Sequence, residues 1–244
     1  MYHGHGALQE EPLGTKRTGE TMAKKSLNRP FFKPWVGKKY GHDGTKKIMV
    51  VGASHYCEEK GGDVNRCPSC TVANSQCRGM TQRVVKDYLE SPERDGWTRT
   101  YTKFINSLYG RNATQEERSD VFDHVVFMNY LQRVEGCFAE EKHNEFFREQ
   151  CHFHAFCHVV LRYRPDVVIV WGDRVWMAIL DSICDNEPNM DYALAKGGWI
   201  ADIRINDFKF KLLEVYHPSY FRYESADNPN ARFKKFDVTF PLHS

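Results

Sequence analysis

With 244 residues, 41% of them hydrophobic and 27% charged, the chain has the composition of a globular protein and not that of an intrinsically disordered one. No apolar run approaches the roughly 20 residues that span a bilayer, and the N-terminus lacks the apolar region of a signal peptide, so we expect a cytoplasmic protein without a membrane segment. The formal net charge of +2 does not by itself indicate a nucleic-acid partner. Any affinity for nucleic acid would have to come from local clusters of Lys and Arg.

The N-terminal part of the chain shows almost no apolar periodicity. We therefore predict a disordered leader over residues 1–26 and a single domain over residues 27–244. The segment Arg29–Tyr40 contains two prolines and four aromatic residues. Prolines preclude a regular helix and aromatic rings need packing partners, so this segment predicts an extended arm that lies across the domain.

The regular part of the chain alternates between apolar runs and helical patterns. The apolar runs predict buried strands at Lys47–Gly52, His124–Asn129, Asp166–Gly172 and Phe210–Tyr216. Apolar residues at three- and four-residue spacing predict helices at Thr81–Leu89, Thr98–Tyr109, Asn144–Tyr163 and Arg174–Cys184. The alternation predicts a three-layer αβα sandwich with a short, mostly parallel central sheet.

The end of the chain carries a different signal. The last strand alternates more than the others, so we expect it near an edge of the sheet. The stretch Gly197–Asp207 predicts one arm of a hairpin that turns at Asn206 and Asp207 into that last strand.

Two short segments directly follow predicted strands and carry small and polar side chains. They are Gly52–Tyr56 and His217–Ser219. Because ligands bind beyond the carboxyl ends of parallel strands, we expect the two segments to form one site. The simpler interpretation is that His217 and Ser219 only cap their own loop through backbone hydrogen bonds.

The order of these landmarks resembles the uracil-DNA glycosylase superfamily over about residues 46–221. The family's first motif, a strand followed by Gly-x-x-x-Tyr, is similar to Gly52–Tyr56. A base-reading asparagine at a strand end is similar to Asn129, and the family's His-Pro-Ser motif is present as His217–Ser219. The chain is on this basis identified as a divergent member with a uracil-DNA glycosylase-like fold.

The resemblance implies hydrolysis of the N-glycosidic bond of a damaged or modified base, as in DNA repair, and nucleic acid, first of all DNA, as the partner. Asn129 would offer its amide to the base edge, and Tyr56 would wall the pocket against bulkier bases. His217 would stabilise the leaving base. The resemblance further gives Ser54 and Ser219 the role of holding phosphates, with Gly52 beside the substrate.

The chain departs from the family in its first motif, where many active members carry Asp or Asn. Here the corresponding residues are Ala53, Ser54 and His55. His55 could act as a general base near neutral pH, and Glu58 or Glu59 could reach into the site instead, although neither replacement follows the family pattern. Two alternatives stay open. One is a catalytically inactive nucleic-acid-binding member, and the other is a serine hydrolase in which Ser54 is the nucleophile, served by His217 or His55.

Basic residues form three clusters that suit phosphate contact, although such clusters are more often solvated surface. They are residues 24–47, Arg162 with Arg164, and Arg222 with Arg232, Lys234 and Lys235. No protein partner can be inferred from the sequence.

The loop at residues 57–80 contains four cysteines, Cys57, Cys67, Cys70 and Cys77. The two-residue gap between Cys67 and Cys70 lets both sulfurs reach one metal, and a long loop without helix or strand pattern needs such a link to be ordered. We favour zinc over an iron–sulfur cluster, with a flexible loop carrying incidental cysteines as the alternative. The Cys151–His158 segment also carries metal-ligand types, but its helical pattern and the lack of a second partner segment favour core packing and surface histidines.

The zinc prediction is tested by elemental analysis of the purified protein. We expect about one zinc ion per chain, because four thiolates satisfy its tetrahedral coordination. Protein without zinc would remove the proposal.

Overall fold

The structure, a computed structural model, describes residues 29–57, 75–90, 96–136, 144–186, 189–220, 223, 229–235, 238 and 240. The predicted leader over residues 1–26, the loop cysteines Cys67 and Cys70, and Arg222 lie outside the described residues.

The described strands follow the predicted apolar runs and add shorter ones. In chain order they are β1 (Trp35–Val36), β2 (Ile48–Gly52), β3 (His55–Tyr56), β4 (Val125–Asn129), β5 (Val134–Gly136), β6 (Val167–Trp171), β7 (Met190–Leu194), β8 (Ile200–Ile205) and β9 (Phe208–Val215). A seven-stranded sheet has the order β1-β4-β2-β6-β9-β8-β7, and β3 pairs with β5 in a separate two-stranded sheet.

The described α-helices are α1 (Ser75–Arg78), α2 (Met80–Glu90), α3 (Thr98–Tyr109), α4 (Gln115–His124), α5 (Gln150–Tyr163), α6 (Asp173–Asn186) and α7 (Pro229–Lys235). None of them is long and apolar enough to cross a membrane. Helix α5 is shorter than predicted because its first part forms a 3-10 helix, Asn144–Arg148. Helix α4 was not predicted, although Thr114 and Glu117 form a capping box at its start.

Helices cover both faces of the central strands, which explains why those strands are apolar throughout. Met49 and Val51 of β2 pack in a core with α5 and α6. Ile48 and Val50 point to the other face and pack in a core with α2, α3, α4 and α7. The predicted α/β class and the layered packing are confirmed.

The prediction of a mostly parallel sheet needs correction, because the sheet is mixed. Strands β4, β2, β6 and β9 are mutually parallel, whereas β1, β8 and β7 run antiparallel to their neighbours. The predicted turn at Asn206 and Asp207 joins β8 to β9 as a hairpin, and two residues are too few for a parallel crossover. The hairpin also places β9 inside the sheet, so the expectation that it lies near an edge is wrong.

Candidate functional site

The four parallel strands end at one edge of the sheet, which we call the carboxyl edge. Gly52 at the end of β2 is paired with Asn129 at the end of β4. Trp171 at the end of β6 is paired with Val215 at the end of β9. The residues that follow these strands, including His217, therefore emerge on the same side of the sheet, as the sequence predicted.

Asn129 lies across Gly52 and bonds to the loop that follows β2. Its side chain is 5% exposed, and its Nδ2 donates a hydrogen bond of 2.8 Å to the Ser54 carbonyl oxygen. A Cβ atom on Gly52 would overlap Asn129 Oδ1, so only glycine leaves room for this side chain. Because the amide nitrogen is held by Ser54, Oδ1 is the atom of the group that can accept from a ligand.

Gln132, which the sequence did not single out, holds the backbone around Asn129. It is buried, and its Nε2 donates to the carbonyl oxygens of Asn129 at 3.0 Å and Tyr130 at 3.3 Å. Its Oε1 accepts from the Phe32 amide at 3.2 Å. The network ties the N-terminal arm to the carboxyl edge. No short sequence motif predicts it, because Phe32 and Gln132 are 100 residues apart in sequence.

The turn that follows β9 fixes the His217 imidazole. The Ser219 amide donates to His217 Nδ1 at 3.3 Å, and Ser219 Oγ lies 2.7 Å from the same nitrogen. The backbone donor requires a lone pair on Nδ1, so the neutral ring carries its hydrogen on Nε2. Gly172 has φ of +91°, and a Cβ there would lie 3.3 Å from His217 Cβ, so glycine permits this close approach.

Buried rings connect Asn129 with His217. The Cβ that Gly52 lacks would meet both Asn129 Oδ1 and the tip of the Phe127 ring. Phe127 packs on Trp171 with ring centroids 5.3 Å apart, and Trp171 packs on His217 at 6.1 Å in an edge-to-face arrangement. The two loops therefore share one floor, built by the last residues of β2, β4 and β6.

His55 has a different environment from the one that a general base needs. It is 4% exposed, its Nε2 lies 2.8 Å from Thr81 Oγ1, and its ring packs on Phe32 at 4.9 Å. Burial, with a smaller contribution from the Arg83 charge, lowers the pKa of His55 to about 3. A ring that is neutral and held in the core by Thr81 supports the fold of the first motif, and we do not assign it the proton transfer that the sequence suggested.

The remaining predicted site residues, Ser54, Tyr56 and Ser219, lie around the same edge, and so does Asp173. Ser54 is half-buried and follows β2 directly, and Tyr56 is 38% exposed at the end of β3. Ser219 is exposed, with its hydroxyl held against His217. Asp173 begins α6 directly after Gly172 and is exposed. Among the described residues that directly follow the four parallel strands, Asp173 is the one carboxylate.

Two of the four predicted zinc ligands can be located. Cys57 is half-buried against a small cluster that contains Phe32, Met80 and Val134, and Cys77 lies in α1. The zinc site stays a prediction, because its other two thiols lie outside the described residues.

A different group of metal-ligand types lies at the start of α5. Atoms of Glu149, Cys151 and His152 all lie within 4.8 Å of one another. The Gln132 amide donates to His152 Nδ1 at 3.1 Å, which leaves the hydrogen on Nε2, the nitrogen that faces Glu149 at 3.7 Å. Either ring nitrogen of His152 could bind a metal only if the hydrogen bond from the Gln132 backbone amide were lost. Glu149 is already paired with Arg133 at 2.9 Å. Within this segment His152 is buried and Cys151 is exposed, so the segment lies only partly in the core.

Two surface grooves lie at the opposite edge of the sheet. One, of about 490 Å³, includes Lys39 and Asp123, and the other, of about 1020 Å³, includes Lys46, Asp166 and Lys209. The larger groove contains cross-strand ion pairs between Lys211 and Asp202 and between Arg204 and Asp191. Exposed pairs of this kind are common on protein surfaces and do not indicate a ligand.

A scan against protein-family models and a search of curated proteins find no match for this chain. The resemblance to uracil-DNA glycosylases therefore depends on the sequence motifs alone.

The Gly52→Ala substitution tests the contact between Gly52 and Asn129. The added methyl group would displace the Asn129 side chain and break its bond to Ser54, so we expect a loss of about 1–3 kcal/mol in the free energy of unfolding. Urea denaturation measures this change. Gly96→Ala is the control, since a Cβ there meets no atom within 4 Å. Equal stability of the two variants would contradict the described contact.

The buried neutral state of His55 predicts a loss of stability in acid. The unfolded chain binds a proton near pKa 6.5, whereas folded His55 does so only near pKa 3. Stability is therefore complete above pH 6.5 and falls as the pH is lowered toward 3. At pH 5 this linkage amounts to about 2 kcal/mol.

Urea denaturation at pH 7.5 and pH 5.0 measures the effect in the wild type and in His55→Gln. The variant should lose less stability between the two pH values than the wild type does. The same loss in both proteins would show that His55 is not held neutral.

Proposed function

We propose that this protein hydrolyses the N-glycosidic bond of a damaged or modified base in nucleic acid, as a divergent member of the uracil-DNA glycosylase superfamily. The observation that carries the proposal is the common floor beneath Asn129 and His217. Through Gly52, Phe127 and Trp171, an amide acceptor and an imidazole donor lie at one sheet edge.

The two polar groups are suited to opposite parts of a base. Asn129 Oδ1 accepts a hydrogen bond from a ring N–H, and the bond from Asn129 to Ser54 holds the amide in that orientation. His217 donates through Nε2, because Ser219 occupies Nδ1. A neutral imidazole that donates to a base carbonyl stabilises the negative charge that develops there as the base leaves.

The hydrolysis needs water as its second reactant. The water oxygen forms a bond to C1′ of the sugar while the C1′–N bond breaks, and the bonding electrons leave with the base. The proton released by the water passes to a carboxylate or to solvent. We assign this acceptor role to Asp173, the exposed carboxylate that follows β6 at the carboxyl edge.

Nucleic acid, with DNA as the first candidate, is the partner that this chemistry requires. Ser54 lies beside the edge and suits phosphate contact, whereas the predicted phosphate role of Ser219 would require its hydroxyl to leave His217 Nδ1. Tyr56 offers an exposed ring as a wall of the pocket. Several of the predicted basic residues are engaged within the protein, Arg164 and Arg232 among them. Arg164 lies over Phe208, and Arg232 lies over Trp199 and donates to the Glu214 carbonyl oxygen.

A catalytically inactive nucleic-acid-binding protein is the second candidate. It is favoured by the residues that follow β2, where Ala53, Ser54 and His55 offer no carboxylate. A serine hydrolase that uses Ser54 is less well supported. His55 is bound to Thr81 in the core, and Nδ1 of His217 is held by Ser219.

The test is a panel of single-stranded and duplex oligonucleotides that carry uracil or hypoxanthine. We expect abasic sites with the wild type and a loss of on the order of a hundredfold or more in rate with His217→Ala. Asn129→Ala and Asp173→Asn should also lose activity. His42→Ala, an exposed histidine near the opposite sheet edge, should keep the wild-type rate.

Each outcome separates the candidates. Salt-sensitive DNA binding without any abasic product would favour the inactive binding protein. Covalent labelling of Ser54 by a reactive phosphonate would favour the serine hydrolase. Activity that survives in His217→Ala would contradict the proposed mechanism.

A further inference from the structure

Trp171 carries a buried hydrogen-bond donor that the proposed mechanism does not use. The side chain is 3% exposed, and no described residue accepts a hydrogen bond from its Nε1. Buried donors without an acceptor are rare, because the N–H has given up its bond to water without replacing it. This donor lies at the end of β6, within the floor that joins Asn129 to His217.

The rings around Trp171 show from which side an acceptor can arrive. Tyr101, Phe104 and Phe127 contact the indole at centroid distances of 5.5, 5.0 and 5.3 Å, and all three are buried. The fourth ring contact, His217, is half-buried in the turn after β9. Of these four neighbours, His217 is the one that is not fully buried, so an acceptor would have to approach the indole on the His217 side.

We propose that Trp171 is a specificity-determining residue, whose Nε1–H donates a hydrogen bond to a carbonyl oxygen of the base that binds beside His217. This inference rests on the proposed function, since it uses the same site. The donor selects bases with an acceptor at the matching position. A base without one would leave the N–H unsatisfied, as it is in the free protein.

Asn129 and Trp171 then recognise two complementary features of a nucleobase. Asn129 Oδ1 is an acceptor and selects a ring N–H, and Trp171 is a donor and selects a carbonyl oxygen. Uracil and hypoxanthine carry an N–H next to a carbonyl, whereas unsubstituted purine carries no carbonyl. These three free bases are therefore the probes.

The first experiment follows the indole N–H resonances of the uniformly ¹⁵N-labelled full chain, which contains five tryptophans. Trp171→Phe assigns the Trp171 resonance. We expect uracil and hypoxanthine to shift it and purine to leave it in place. The resonance of Trp176, which is buried on the other face of the sheet, is the internal control.

The second experiment replaces Trp171 with 3-benzothienylalanine, which keeps the ring shape and substitutes sulfur for the N–H. Binding of uracil and hypoxanthine should weaken about threefold to tenfold, the value of one neutral hydrogen bond. The urea midpoint should stay the same or rise, because an unsatisfied donor has been removed from the core. The same replacement at Trp176 should not affect base binding.

The outcomes distinguish this inference from the proposed function. A Trp171 resonance that no base shifts, or that purine shifts equally, would overturn the inference. Unchanged base binding after the benzothienylalanine replacement would also overturn it. So would a lower urea midpoint, because it would show that the N–H is hydrogen-bonded within the protein. Base-specific shifts in a protein that forms no abasic product would support the Trp171 assignment and refute the glycosylase. Glycosylase activity whose base preference is unchanged by the Trp171 replacement would support the glycosylase and refute the Trp171 assignment.

Discussion

The contact between Gly52 and Asn129 is the constraint on which the candidate site depends. The parallel strands β2 and β4 pair in register up to these two residues, and the absence of a side chain on Gly52 gives the Asn129 amide its place. The amide then bonds the Ser54 carbonyl oxygen, and Gln132 holds the Asn129 backbone from the other side. A strand pairing, one missing Cβ and two side-chain amides thus fix the orientation of a single acceptor, Asn129 Oδ1.

Environment gives the histidines near this edge different roles. His55 and His152 are both buried, and burial lowers the pKa of His55 to about 3 and that of His152 to about 4. Both rings are held by neighbouring hydrogen bonds and contribute to the fold. His217 lies in a half-buried turn, where the Ser219 amide fixes its tautomer with the hydrogen on Nε2. Residue type alone does not separate these roles, because all three are the same imidazole.

Much of the fold could be predicted from the sequence, because strands covered on both faces leave continuous apolar runs. The four central strands and the hairpin turn at Asn206 and Asp207 were identified in this way. Helix α4 was missed because it has little apolar periodicity, although its Thr114–Glu117 capping box was visible. The edge strand β7 was missed because it is largely exposed and lacks an apolar run. At the site, the sequence indicated Asn129 and His217 but not Gln132 or the Trp171 donor, which depend on contacts between distant segments.

The most direct test of the central claim is an experimental structure of the protein with a bound single-stranded oligonucleotide that contains uracil. The account predicts a base at the carboxyl edge, with its ring N–H facing Asn129 Oδ1 and a carbonyl oxygen within hydrogen-bond distance of His217 Nε2. An oligonucleotide bound in the groove that contains Lys46 and Asp166, with the carboxyl edge empty, would contradict it.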